Sequence, residues 1–293
     1  MKRPTHTRHR PPTWRSLVVI VSFAAALAVY LFVNAPPPLA AESETGARIP
    51  IRTVFAMLDH ENATARALWA EEIVGKGSAV GLTFDEHWRD DGVNAGPLPA
   101  LFLRETARNL QRTPLHLSLF LGSQFPINPA NQLTGDQATH FAVLAGSKAP
   151  QFFADATTGL QTAMFADVAV SDACVACHND HAGSPKIDWQ VHDVMGATTW
   201  MYPEASVTTE RAVELVRALR ASIRQAYADY LAKVATFPTR PTIGTGWPRD
   251  GFALPSEDVF MSELARRSSP STLLGLLDPS APLVEASAAL PGS

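Results

Sequence analysis

Cys174-Val175-Ala176-Cys177-His178 contains the only two cysteines of this 293-residue chain, three positions apart, with a histidine directly after the second. That is the C-x-x-C-H spacing through which haem is attached covalently. Two thiols add across the two vinyl groups of a haem, and the next imidazole reaches the iron from the same short segment. The pattern implies one haem c, with Cys174 and Cys177 as its attachment points and His178 as an axial ligand. Three rival chemistries fit less well. A thioredoxin-like dithiol needs a βαβ setting, which the flanking sequence lacks. A zinc site wants four ligands, and the chain offers one cysteine pair with scattered histidines. A structural disulfide over so short a span makes a tight, strained loop.

The compartment is written into the N-terminus. Lys2, Arg3, Arg8, Arg10 and Arg15 precede an uncharged apolar stretch over residues 16–35, and the first acid is Glu42. About 20 apolar residues suffice to cross a bilayer, and a basic flank stays on the cytoplasmic side. Residues 1–15 therefore read as a cytoplasmic flank, 16–35 as a transmembrane anchor and 36–48 as a proline-rich linker. A cleavable signal peptide is the rival reading, with Leu39-Ala40-Ala41 as a poor cleavage site. Both readings export the remainder of the chain, so the haem lies outside the inner membrane, in the periplasm.

Elements must then hold the motif. Helical periodicity runs over 49–74 (Val54, Met57, Leu58, Ala65, Leu68, Trp69, Ile73), and Pro97 and Pro99 open a second helix over 98–110. Residues 115–120, 152–153 and 162–170 read as strands, with a short helix over 136–144. VMGATTWMY (Val194–Tyr202) reads as a core strand. A long amphipathic helix covers 207–235, with Arg217, Arg220 and Arg224 on its wet side. Residues 241–293 are rich in proline and serine and predict a poorly ordered tail. The fold class expected is α+β, an antiparallel sheet with flanking helices, and the haem domain spans 49–240.

Several stretches carry a resemblance: EIVGKGSAVGLTFDEHW, GPLPALFLRE, LGSQFPINPAN, MFADVAV, CVACHNDHAGSPKIDW and VMGATTW. Over about residues 50–240 the chain resembles a family of bacterial extracytoplasmic single-haem c domains with a PAS-like fold, proposed to serve sensing. The resemblance implies that the motif follows one strand and that a glycine-containing strand after it, here Val194–Trp200, walls the haem pocket. Some members take their second iron ligand from a cysteine of the first helix. This chain has no third cysteine, so the resemblance points to His60, on the same helix, as the distal candidate, against the plainer reading of a polar residue beside Asp59 and Glu61. His181 and His192 near the motif, His87, His140, Met195 and Met201 are weaker candidates. Lys186 and Arg104 could neutralise the haem carboxylates or be ordinary surface charge. Asp85-Glu86 reads as a solvated pair.

At 46% hydrophobic and 18% charged, with a net charge of −4, the chain is globular and offers no basic stripe for nucleic acid. No phosphate loop, G-x-S-x-G or histidine-rich zinc motif is present. The expectation is a membrane-anchored periplasmic haem c protein that senses redox state or a small ligand and acts through a protein partner. The alternative is a periplasmic electron-transfer cytochrome. An enzyme such as a peroxidase stands third, because no distal acid–base pair can be identified. The long amphipathic helix could serve a homodimer or a partner, though packing on its own sheet is the plainer use.

Overall fold

The apolar N-terminal stretch winds into one helix, α1 (Trp14–Val33), in a computed structural model that describes residues 14–33 and 48–278. The chain divides into two units, 1–46 and 47–293. Residues 1–13 of the basic flank and most of the linker lie outside the described residues, as do residues 279–293. Only part of the α1 side chains is described. Among the described residues no helix is long and apolar enough to cross a membrane.

The second unit opens with β1 (Ile49–Pro50) and α2 (Ile51–Leu68), which runs on as a π-helical stretch, Trp69–Gly75, into α3 (Lys76–Ala79). The short strands β2 (Phe84–Asp85) and β3 (Gly96–Pro97) precede α4 (Pro99–Gln111), where Pro99 suits the first helical turn. Then come β4 (Ser118–Gly122), α5 (Gly135–Ser147), β5 (Gln151–Ala154) and β6 (Gln161–Val168). The motif helix α6 (Asp172–Asp180) leads to β7 (Val194–Tyr202) and β8 (Ser206–Val207). The chain continues through α7 (Thr209–Val234), β9 (Thr242–Gly244), β10 (Ala253–Pro255) and α8 (Glu257–Leu277).

Four strands form one antiparallel sheet in the order β4-β7-β6-β5, so the class is α+β. The sheet has a core on each face. Leu119, Ala163 and Trp200 join α2, α4, α7 and α8 in the larger one, while Met164 and Ala197 join Phe141 and Leu144 of α5 in the smaller. This explains why β7 reads as a nearly continuous apolar run. Its register slips where Asp167 pairs with Gly196 and Val168 with Val194. Met195 is the extra residue of that bulge, which reverses the alternation and returns Val194 to the Ala197 side. A Cβ at Gly196 would lie 2.7 Å from the Gly122 carbonyl oxygen, so the bulge needs a glycine there.

In the larger core Trp69 stacks on Phe102 at 4.4 Å and meets Tyr230 edge-on at 5.0 Å, while Tyr227 stacks on Phe260 at 4.2 Å. Such pairs contribute roughly 0.5–1.5 kcal/mol each beyond their burial. They join the π-helical stretch, α4, α7 and α8 into one body.

Two expectations need correction. Residues 242–277 are not a loose tail, and the domain does not end at 240. β10 pairs with β9, and α8 buries Phe260 and Leu264 completely. Composition misled because Pro270 lies inside α8. Proline removes one backbone bond there, but Ser268 and Thr272 on either side of it donate to the buried carboxylate of Glu61. Nor is Arg220 on a wet face. Its Nε donates to Glu61 at 3.0 Å, giving that carboxylate the paired, hydrogen-bonded surroundings that a buried charge requires. Glu61 thereby ties α2, α7 and α8 together.

Candidate functional site

The β6–β7 connection carries the motif. Ser171 precedes α6 in extended conformation, and its hydroxyl lies 3.3 Å from the Cys174 sulfur. On a helix, positions i, i+3 and i+4 share a face, so Cys174, Cys177 and His178 are brought together on one side of α6. Both thiols are free, Cys174 half-buried and Cys177 exposed. The residue after His178 fastens the helix to the returning loop. Asn179 accepts from the Trp189 backbone N–H at 2.9 Å and donates to its carbonyl at 3.0 Å.

Electrostatics separates the rival chemistries. Burial pushes the Cys177 thiol up, and Glu86, Cys174 and Asp180 push it the same way. A redox dithiol needs the opposite, an easily formed thiolate. Burial lowers the His178 pKa, with His181 and Arg66 acting in the same sense against Asp167. The imidazole is thus neutral near pH 7, the form that ligates a metal, and its ring has no hydrogen-bond partner among the described residues. Among those residues no group of three or more His, Cys, Asp or Glu side chains is placed to hold a metal ion. Paired free thiols and a neutral, unengaged imidazole on one helical face fit a covalently attached haem, whose macrocycle supplies the remaining donors.

Residues that the sequence did not single out surround the motif. Arg66 of α2 forms an ion pair with Asp167 at the end of β6. Asp167, then burial against it, then Cys174 and Asp59 act on the Arg66 charge, which stays firmly protonated. Asp59 accepts from the Trp200 indole N–H at 3.2 Å. Burial drives its pKa up to about 7, the Trp200 bond opposes this, and Asp167 adds to it. Glu86, expected to be merely solvated, lies 3.4 Å from His181 Nε2. Arg66 carried no signal that set it apart from the other charged residues of α2, Arg52, Asp59 and Glu61. Asp167 and Trp189 carried none beyond flanking the motif.

His60 is half-buried, and its Nε2 is buried with no partner among the described residues. Burial lowers its pKa and Glu61 opposes this. The charged groups acting on His178 are different ones, so these interactions do not bring His60 to the motif. His181 has both ring nitrogens engaged, Nδ1 by the Gly183 N–H at 3.0 Å and Nε2 by Glu86. His140 stacks on Phe153 at 3.7 Å, and His87 is exposed beside Asp85 and Glu86. His192 is exposed at positive φ. Met201 sulfur accepts from Gln137 at 3.5 Å, while Met195 sits half-buried on the bulge.

Residues 40–203 match the family model described as Tll0287-like: Tll0287, a span that ends just after β7 and includes the motif. No curated protein and no solved structure matches the chain.

Proposed function

The chain belongs to the Tll0287-like family, and on that premise we propose that it is a c-type haem protein that senses redox state or a small ligand outside the cytoplasm. The observation that carries the proposal is the single face of α6 on which the free Cys174 and Cys177 thiols and the neutral His178 imidazole lie. Haem would supply one-electron chemistry and an iron site for a small ligand. The protein's own part is to fix the histidine. Asn179 clasps the loop behind it, and Asp167 and Arg66 set the charge beside it.

The PAS-like part of the reading is supported by an antiparallel sheet with its first strand next to its last and helices on both faces. His60 is the proposed distal ligand because its buried Nε2 has no partner among the described residues. A sensor must pass its signal to a partner protein. α2 is suited to this: it carries Arg66 beside the motif and, five positions earlier, Glu61 locked to α7 and α8.

Membrane anchorage through α1 is part of the proposal. Val21, Phe23 and Tyr30 are all more than 60% exposed on that helix, and so large an apolar surface needs a cover. A reporter active only outside the cytoplasm should work when fused after Glu42 and be silent when fused before Ser16. The reverse pattern would refute export.

Absorption spectra of the oxidised, reduced and carbon-monoxide-treated protein test the sensing role. A reduced spectrum that changes with carbon monoxide supports a sensor with an accessible sixth position. A reduced spectrum indifferent to it would favour an electron carrier.

A further inference from the structure

Trp189 is 6% exposed, yet its indole N–H has no acceptor among the described residues. Buried donors are satisfied in folded proteins with few exceptions, and each exception calls for a missing partner. This donor is not adrift. The double clasp of Asn179 on the Trp189 backbone ties it to the residue immediately after His178, and Phe125 packs edge-on against the ring at 6.2 Å. Lys186 Nζ stands 4.6 Å from the ring centroid. It also pairs with Asp188, whose side chain is 82% exposed, while the Lys186 side chain is 23% exposed. A fixed buried N–H and a cation over the face of the same ring, three residues apart on one loop, offer two groups that can receive anionic oxygens.

The surroundings of the motif decide which anion. On the α2 side of α6, Asp167 already pairs with the Arg66 guanidinium, and Asp59 acts on the same charge. More carboxylates there would meet like charge. We propose that the Trp189 indole N–H and the Lys186 ammonium bind the carboxylate groups of the haem, so that the 181–189 loop anchors the polar edge of the cofactor. This rests on the haem reading above. Asn179 is then a positioning residue, because it holds the donor in register with the axial histidine.

The test uses the full chain produced together with a c-type haem attachment system. Ultraviolet resonance Raman difference spectra, wild type minus Trp189→Phe, isolate the band that reports hydrogen bonding of this one indole N–H. The haem-loaded protein should show a bonded N–H, and the haem-free Cys174→Ala/Cys177→Ala protein an unbonded one. Visible resonance Raman should show the haem carboxylate-bending band shifted in Lys186→Gln, a change that removes the charge and keeps most of the side-chain length. An indole band identical in the haem-loaded and haem-free proteins would overturn the proposal by assigning the N–H to protein or water. A carboxylate-bending band unchanged in Lys186→Gln would also overturn it. A purified chain without covalent haem would remove this proposal and the haem reading together, whereas unchanged bands in a haem-loaded protein remove this one alone.

Discussion

The guanidinium of Arg66 pairs with the carboxylate of Asp167, 101 positions further along the chain. The pair joins the last turns of α2 to the end of β6, where the chain leaves the sheet to form the motif helix. It therefore sets the charge felt by His178. Arg66 lowers the His178 pKa and Asp167 raises it. In haem-free protein, Arg66→Ala should raise the His178 pKa and Asp167→Asn should lower it. Proton NMR titration of the imidazole checks both. Shifts of the same sign in the two variants would show that the pair acts through a conformational change rather than through charge.

Much of this arrangement was legible in the sequence because its signals are local. VMGATTWMY gave β7 at its observed bounds, since a strand buried on both faces is apolar throughout. The C-x-x-C-H spacing marked the motif, but not that it lies on a helix. What stayed hidden depends on partners distant in sequence. Nothing near Arg220 announces Glu61, 159 positions away, so a half-buried arginine paired with a buried carboxylate read as a solvated face. α8 was lost because Pro270 and its serines look like a linker when their acceptor, Glu61, is not in view. The Trp189 donor was equally silent, because an unsatisfied N–H exists only once the fold has buried it.

Asp59 should leave a mark on the pH dependence of stability. Its folded pKa is raised from 3.8 to about 7 by burial. Between those values the native state holds a proton that the unfolded chain releases, so stability falls as pH rises from about 4 to about 7. Asp59→Asn keeps an acceptor for Trp200 and removes the ionisation. The variant should therefore gain more stability over wild type at pH 8 than at pH 5 in urea titrations. An equal difference at the two pH values would place the Asp59 pKa near its ordinary value.

Glu61 should be among the most costly residues to remove. Its carboxylate is fully buried and receives Arg220, Ser268 and Thr272. Breaking a buried pair by deleting one partner costs about 3–5 kcal/mol, and because Arg220 keeps 28% of its side chain exposed the lower end, about 3 kcal/mol, applies. Glu61→Ala should lose stability on that scale by denaturant titration, and protease should then cut first within α8. A loss under about 1 kcal/mol, the range of an exposed ion pair, would contradict the clamp.

For the distal position, His60→Ala should convert the ferric absorption spectrum from low-spin to high-spin, because the neutral imidazole at that position would be gone. An unchanged spectrum would exclude His60 and turn attention to Met195, the residue that the β6–β7 bulge sets apart.

The central claim is the covalent haem, and intact-mass spectrometry of the denatured protein, purified from a host that attaches c-type haem, tests it most directly. The expected mass is that of the chain plus one haem. That mass should revert to the bare chain when Cys174 and Cys177 are both replaced by alanine, with His178→Ala keeping the attachment but altering the spectrum. A bare chain from the unmodified sequence, or haem that stays attached after both cysteines are gone, would contradict it.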